Sequence, residues 1–455
     1  MKTIGKYQIL GLLGRGGMGT VYKARHPELG HIVALKLLAP MDMVEAIVGM
    51  DELTRRFEAE ARTMAGLNHE NIATVWDLER DERGRSFFIM DYFCNNVGAV
   101  IGETYRVEAP SRVLRIDRAA DIVRQTLEGL ARLHAAGIVH RDMKPFNLLL
   151  TSSGGVRIID FGLSKLRHEP LQLHGSEKVG SPYYAPPEQE EDAEAVGPTA
   201  DLFSVGVMFQ RMLTGRLPQL SCDPPSACNP DLDDDWDKFL SRAVAETPAE
   251  RFQSAREMIE ALDGLMDEWR ARSANSCALP PELNDSAMGA EGGKGQPEFP
   301  RSEPIKTGPH AGPEALGLDE LWRPRQYSRN EFKDRGDDTV LDQSSGLLWE
   351  QGASEYPLTR GEAQAYVQGL NAESYAGCSA WRLPTVEELK TLLTPVTQGS
   401  DFCVQPVFDT SRTRLWSCDR RTFIQSWSAD TELGFISHHD DTCHNYARAV
   451  CSLGR

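Results

Sequence analysis

The chain has 455 residues, 40% of them hydrophobic and 25% charged, with 67 acidic against 49 basic side chains and a formal net charge of −18. That length exceeds what one core usually serves, so at least two domains are expected; the acidic balance argues against a nucleic-acid or anionic-membrane surface, which would repel it. No apolar run reaches the roughly 20 residues that span a bilayer, and the opening MKTIGKYQIL lacks the long apolar stretch of a signal peptide, so a soluble cytoplasmic protein without a membrane span is expected. Its nine cysteines favour thiols over bridges in that setting, although Cys378, Cys403, Cys418, Cys443 and Cys451 crowd into the C-terminal part, where bridging is left open.

In chain order, YQILGLLG, TVYKAR and IVALKLL read as strands, and RAADIVRQTLEGLARLHAAG as a helix with apolar residues at helical spacing. A strand-rich lobe therefore precedes a helical one. Between the first two strands lies LGRGGMGTV, which is Leu13, Gly14, Arg15, Gly16, Gly17, Met18, Gly19, Thr20 and Val21. Its glycines let a hairpin approach phosphate oxygens, with the backbone N–H groups aimed at negative charge. A glycine-rich loop is also an ordinary turn or a dinucleotide loop, but no helix follows this one, which removes the dinucleotide reading. In VALK, Lys36 stands on the third strand, where a carboxylate must hold its ammonium toward phosphates. The helix-like TRRFEAEARTMAGL offers Glu60 as that partner, with Glu58 as its competitor.

HRDMKPFNLLL, from His140, and IIDFGLS, from Ile158, then follow in order. With these motifs the chain resembles the bacterial Hanks-type (eukaryotic-like) serine/threonine protein kinases over residues 7–268. The resemblance implies a bilobal kinase fold and an enzyme that uses ATP and Mg2+ to phosphorylate protein substrates on serine or threonine, itself included. It makes Asp142 the residue that orients the substrate hydroxyl and takes its proton, Asn147 and Asp160 the holders of magnesium, and Lys144 the lysine beside the transferred phosphoryl. It also implies that Val21, Ala34 and Leu149 enclose the adenine, that Met90 is the gatekeeper, and that the hinge runs from Asp91 to Phe93. Asp201 would brace the catalytic loop, and Arg251 would pair with Glu188. PPE replaces the usual A-P-E, and Ser181 replaces a threonine, without loss of a catalytic group. Among Ser164, Ser176, Ser181, Tyr183 and Tyr184, Ser176 is the best-placed activation-segment phosphosite. Extra sequence stands before the Glu60 helix and again after the hinge. The alternative is a pseudokinase scaffold whose C-terminal domain binds a protein or carbohydrate.

The remainder divides by composition. Residues 1–269 form the expected kinase domain, residues 270–319 are Pro-, Gly-, Ser- and Glu-rich and read as a flexible linker, and residues 320–455 regain tryptophans and short β-like runs. In SAWRLPTVEELKTLL, Thr385 and Glu388 form a capping-box pattern ahead of Leu389, Leu392 and Leu393, which predicts a helix from Thr385. With WRLPT, DTVLDQSSGLLWE, LTRGEAQAYVQGLN and a terminal ARAVCSL strand, this part resembles the bacterial domain of unknown function 1566, of the C-type-lectin-like and formylglycine-generating-enzyme-like fold. The whole is thus expected to be α+β, a kinase fold followed by a small lectin-like domain for an unknown ligand or partner. SHHDDTCHNY offers His438, His439, Asp441, Cys443 and His444, but their spacing matches no standard zinc motif, so a polar recognition loop is the preferred reading. Recognition is expected in irregular segments from Arg412 to Tyr446, with Trp416 and Trp427 as core.

Overall fold

The computed structural model describes residues 2–17, 19–104, 108–160, 182–191, 196–220, 223–276, 300–396 and 402–452. They form two compact units, Met1–Arg272 and Ser273–Arg455.

The first unit opens with an antiparallel sheet of β1 (Thr3–Ile4), β2 (Tyr7–Arg15), β3 (Gly19–Arg25), β4 (Ile32–Leu38), β5 (Val75–Arg80) and β6 (Ser86–Asp91), in the order β1-β2-β3-β4-β6-β5. Alternate side chains of these strands, among them Tyr7, Ala24, Val33, Leu35, Leu37, Phe87 and Ile89, build one core. After β4 come α1 (Asp42–Val48), which buries no residue, and α2 (Met50–Gly66). Leu53, Phe57, Glu60, Ala61 and Met64 recur every three or four residues on α2, so its buried stripe carries Glu60 inward.

The helical lobe follows with β7 (Asn95–Asn96), α3 (Val97–Ile101), α4 (Ile116–Ala135), β8 (Leu148–Leu150), β9 (Val156–Ile158), α5 (Pro187–Glu191), α6 (Pro198–Thr214), α7 (Pro225–Cys228), α8 (Asp234–Ala243) and α9 (Ala255–Ser276). Asn96 caps α3 through Ala99 N–H, and Asp233 caps α8 through the N–H groups of Asp235 and Trp236. α6 is buried from Ala200 to Thr214, the central post on which α4 and α8 pack. β7, β8 and β9 form a small sheet that presents the catalytic loop.

The second unit contains a four-stranded antiparallel sheet, β10 (Phe332–Asp334), β11 (Thr339–Asp342), β12 (Leu347–Glu350) and, at the far edge, β16 (Val450–Ser452). A second sheet comprises β13 (Arg414–Arg420), β14 (Gln425–Asp430) and β15 (Phe435–Asp440). Two helices, α10 (Arg360–Ala372) and α11 (Val386–Leu392), both start on a threonine capping box, Thr359–Glu362 and Thr385–Glu388. Trp349, Leu389, Leu392, Leu415, Trp427, Ile436 and Val450 form the common core.

Two expectations need correction, and one open question is answered. The kinase helix α9 continues to Ser276, and the supposed linker is packed structure from residue 300 onward, while residues 277–299 lie outside the described residues. Arg301 donates through both terminal nitrogens to the Asp419 carboxylate at 2.9 and 2.8 Å, Lys306 bridges Arg420, and Leu316 and Leu318 enter the core. Two leucines and one arginine anchor a segment whose composition hides them. The stretch from Arg412 to Tyr446 is mostly a sheet, and His439 is 9% exposed on β15 instead of lying in a loop. Finally, Cys378 and Cys451 are joined by a disulfide. Compartment-level reasoning could not see that Arg382 and Val450 exchange N–H···O bonds of 3.0 and 2.9 Å, which bring the two cysteines together.

Candidate active site

The β2–β3 hairpin places the glycine-rich loop. Gly14 pairs with Val21 and Arg15 with Thr20, and Gly16 N–H donates to Gly19 O at 2.9 Å. The glycines have different duties. A Cβ on Gly19 would stand 2.5 Å from Leu37 O, so the strand pairing itself excludes one there. At Gly14 and Gly16 no protein atom outside the neighbouring residues lies within 4 Å of such a Cβ, so the hairpin faces open space there. Leu13 is 45% exposed, Gly17 O accepts from Met41 N–H at 3.0 Å, and Met18 lies outside the described residues.

Register then aligns the apolar walls. Val21 lies opposite Lys36, Ala34 opposite Met90, and Lys36 opposite Phe88. Ala34 and Met90 are buried, while Val21 and Leu149 are half-buried. Asp91, at the end of β6, accepts from Trp76 Nε1 at 3.1 Å, and Phe93 follows in the chain before β7.

Lys36 Nζ donates to Glu60 Oε1 at 3.1 Å and to Asp160 Oδ1 at 2.8 Å. Burial alone would lower the Lys36 pKa, but the carboxylates of Asp160 and Glu60 overrule it and hold the ammonium above the usual lysine range. Burial likewise pushes Asp160 up, and Lys36, Lys144 and His140 bring it below its ordinary value. Glu58, the competitor, is occupied elsewhere, by Arg80, Arg62 and the Ser86 hydroxyl.

The catalytic loop is held by its own network. Lys144 Nζ lies 3.1 and 2.9 Å from the two Asp142 oxygens, and Asn147 Nδ2 donates to Asp142 O at 2.7 Å. Burial lowers the Lys144 ammonium against the pull of Asp160. Asp201, fully buried on α6, accepts from the N–H groups of His140 and Arg141 at 2.8 Å each, and His134 Nε2 bonds it at 2.8 Å. This brace supports Arg141, whose φ of 64° is costly for a residue with a side chain. Arg251 grips Glu188 bidentately at 2.6 and 2.8 Å.

The Asn147 amide turns its nitrogen toward Asp142, so its oxygen is the end that would face a cation, and the Asp160 carboxylate is the second candidate oxygen donor. These hard oxygen donors suit Mg2+. Ser164, Ser176 and Ser181 lie outside the described residues.

Sequence reading missed Glu103. Its buried carboxylate accepts from Tyr184 OH at 2.6 Å and forms an ion pair with Arg211 at 3.2 Å, which ties the turn Pro182–Tyr184 to the segment after the hinge. The partner is 81 residues away in sequence, so no local pattern announced it. Beside it, Tyr183 OH donates to Glu108.

In the second unit, a cavity of about 500 Å³ is lined by Asp338, Glu350, Tyr375, Phe408 and Asp409, among others. Only the residues around Pro406 to Asp409 approach the segment where recognition was expected. His438 bonds Arg421, His439 bonds Ser428 and Asn445, and Asp441 bonds Arg420 and Ser426. Among the described residues no three His, Cys, Asp or Glu side chains group as metal ligands, and no helix is long and apolar enough to cross a membrane.

A strand-rich lobe and a helical lobe that bring Lys36, Glu60 and Asp160 together, with the Asp142 loop braced beneath, define the bilobal α+β fold of protein kinases. Residues 7–268 match the protein kinase domain family, and residues 338–451 match the Lcl C-terminal domain, a family name other than the number-1566 domain that the motifs resemble. Serine/threonine-protein kinase PksC of Streptomyces coelicolor is 32% identical over 330 residues, covering 67% of this chain and 56% of that protein. Pkn1 of Myxococcus xanthus is 34% identical, covering 58% of this chain and 39% of that protein, and PrkC of Bacillus subtilis is 31% identical, covering 56% and 39%. The chain thus spans about half or less of the length of these relatives. The solved kinase domain of PknI from Mycobacterium tuberculosis is 28% identical with a TM-score of 0.45, covering 58% of this chain and 98% of that one. The chain belongs to the protein kinase family, through its first unit.

Proposed function

We propose that the first unit transfers the γ-phosphoryl of ATP to serine or threonine hydroxyls of proteins, including its own, in the cytoplasm, and that the second unit recognises a ligand or partner. The meeting of Lys36, Glu60 and Asp160 with the Asp142–Lys144–Asn147 loop carries this reading. The serine and threonine kinases among its relatives support it.

Asp142 accepts the proton of the substrate hydroxyl as its oxygen bonds the γ-phosphorus and the bond to the ADP oxygen breaks. Lys144 offers positive charge to the moving phosphoryl. Lys36, fixed by Glu60, points its ammonium at the nucleotide phosphates, which lie beneath the glycine-rich hairpin. Asn147 and Asp160 would hold Mg2+, which supplies charge neutralisation at the phosphates. Asp201 keeps the catalytic loop in place, and Arg251 holds Glu188.

The test is incubation of the full chain with labelled ATP and Mg2+. Label is expected on phosphoserine or phosphothreonine. Asp142→Asn, Lys36→Met and Asp160→Ala should each lower transfer by at least about a hundredfold with an unchanged circular dichroism spectrum, because each removes charge or proton handling and not packing. Wild-type turnover in Asp142→Asn overturns the mechanism.

A further inference from the structure

Resting on the recognition role of the second unit and not on phosphotransfer, we propose that the cavity of that unit binds an alkylammonium group, with the Glu350 carboxylate as the anion that receives it. The cavity has a volume of about 500 Å³, within the range of sites for small ligands. Glu350 at the end of β12, Asp338 ahead of β11, Tyr375 and the loop from Pro406 to Asp409 line it. Its walls are fastened to one another, so the space is preformed. Gln351 N–H donates to Asp338 O at 2.9 Å, Asp409 N–H to Gln351 O at 3.1 Å, and Tyr375 OH to Asp338 O at 3.3 Å. Cys378, just after the turn Tyr375–Gly377, is joined to Cys451 on β16, the strand beside β12.

The lining is chemically one-sided. Asp338, Glu350 and Asp409 bring carboxylates to it, and no lysine, arginine or histidine belongs to it. Its side-chain donors are spent: Gln351 Nε2 donates to Asp334 Oδ2 and Val407 O at 3.1 and 2.9 Å, and the Tyr375 hydroxyl to Asp338 O. Acceptors are what these side chains still offer, so the group that suits them is a donor. An ammonium carries three N–H donors and no acceptor. Pro406, Val407 and Phe408 supply apolar surface for the carbon chain behind it.

Acidic side chains that gather on a surface are ordinarily solvated, and Glu350 is what makes this group different. It is 5% exposed, and it accepts from Tyr366 OH and from Ala449 N–H at 3.0 Å, both neutral donors. Among the described residues no basic side chain forms an ion pair with it. Arg448 lies behind the wall, but its Nε donates to Gly352 O at 2.7 Å and its Nη2 to Asp409 O at 2.9 Å. Burial therefore pushes the Glu350 carboxyl above its usual range, against the opposing pull of Tyr366, Ala449 N–H and Arg448. Buried carboxylates are normally matched by a cation, and the cavity that Glu350 lines is where one can reach it.

The experiment is calorimetric titration of the full chain, at about 0.15 M salt, with pentylamine, pentan-1-ol and valerate, which share a carbon chain and differ in the charge of the head. Pentylamine should bind at least about tenfold tighter than either of the others, the scale of a hydrogen-bonded charge. Glu350→Gln, which keeps the shape and removes the charge, should weaken the amine by about tenfold or more. Asp338→Asn, at an exposed position with no bearing on folding, should weaken it by about twofold to fivefold, and Glu355→Gln, an exposed carboxylate outside the lining, should leave it unchanged. That last variant separates the cavity from attraction by the net charge of −18. A capped peptide with one central lysine distinguishes the source of the group. Binding that matches pentylamine and is lost with norleucine means a lysine presented by a protein; pentylamine binding without peptide binding means a free amine, and both results support the shared chemistry. Binding of pentan-1-ol or valerate as tight as that of the amine, or an amine affinity unchanged by both Glu350→Gln and Asp338→Asn, overturns the proposal and leaves recognition by the second unit standing. Binding of none of the three overturns recognition at this cavity as well.

Discussion

Glu103 carries a charge into a place where water cannot reach it, and one hydroxyl and one guanidinium make that tolerable. Its side chain and that of Arg211 are each 1% exposed, and burial pushes the Glu103 carboxyl and the Tyr184 phenol above their usual ranges. Tyr184→Phe removes the 2.6 Å bond and leaves a buried oxygen with one donor fewer. The expected cost is about 1–3 kcal/mol, read from urea unfolding. Because the same bond anchors the turn Pro182–Tyr184, the variant should also raise the KM for a peptide while leaving that for ATP alone. A purely structural role would move stability without this split. Glu103→Gln, which keeps an acceptor of the same shape, should lie between the two. Lys36, Glu60 and Asp142 were legible because their chemistry fixes their spacing along the chain. Glu103 was not, since its partners come from elements joined only by the fold.

Among the elements, those whose signals are local were read correctly, and α11 is the plainest. Thr385 accepts from Glu388 N–H at 3.1 Å, and Glu388 returns a bond to Thr385 N–H at 2.9 Å. The threonine hydroxyl also donates to Arg301 O at 2.7 Å, fastening the segment that composition had assigned to a linker. Thr385→Ala should therefore cost about 1–2 kcal/mol, the upper part of the range for a lost cap, and Thr385→Ser clearly less. Equal stability of wild type and Thr385→Ala in thermal unfolding would contradict the double duty. The sheet β13–β15 escaped notice for a related reason. Ser417, Asp419, Ser426, Ser428 and Asp430 are all buried, so the alternation of apolar and polar residues that marks a strand is absent. Asp419 explains how such a polar interior is stable: Arg301 and the N–H groups of Ile305 and Val386 saturate its carboxylate.

At the scale of the whole molecule, two compact units imply two unfolding events, and the second unit carries an acid sensitivity that follows from its buried histidines. Burial, with Arg421 alongside, lowers His438 to about 4, and burial together with Arg414 and His438 lowers His439 to about 3. Both lie against tryptophan, His438 at Trp427 and His439 at Trp416, and Asn445 Nδ2 donates to His439 Nδ1 at 3.0 Å, a bond that requires that nitrogen unprotonated. In the unfolded chain a histidine takes its proton near 6.5. Between about pH 6.5 and 4 the unfolded chain therefore binds protons that the folded unit refuses, so stability is full above 6.5 and falls as acid is added. Each histidine contributes at most about 1.4 kcal/mol per pH unit in that window. Calorimetry of the full chain should show one transition that Thr385→Ala shifts, which identifies it as the second unit's. That transition should move to lower temperature from pH 7 to 5, and His439→Gln, which cannot take up the proton, should reduce the slope. A transition that holds its midpoint across this range, or a His439→Gln slope equal to wild type, would mean that the buried imidazoles do not set the acid limit of this unit.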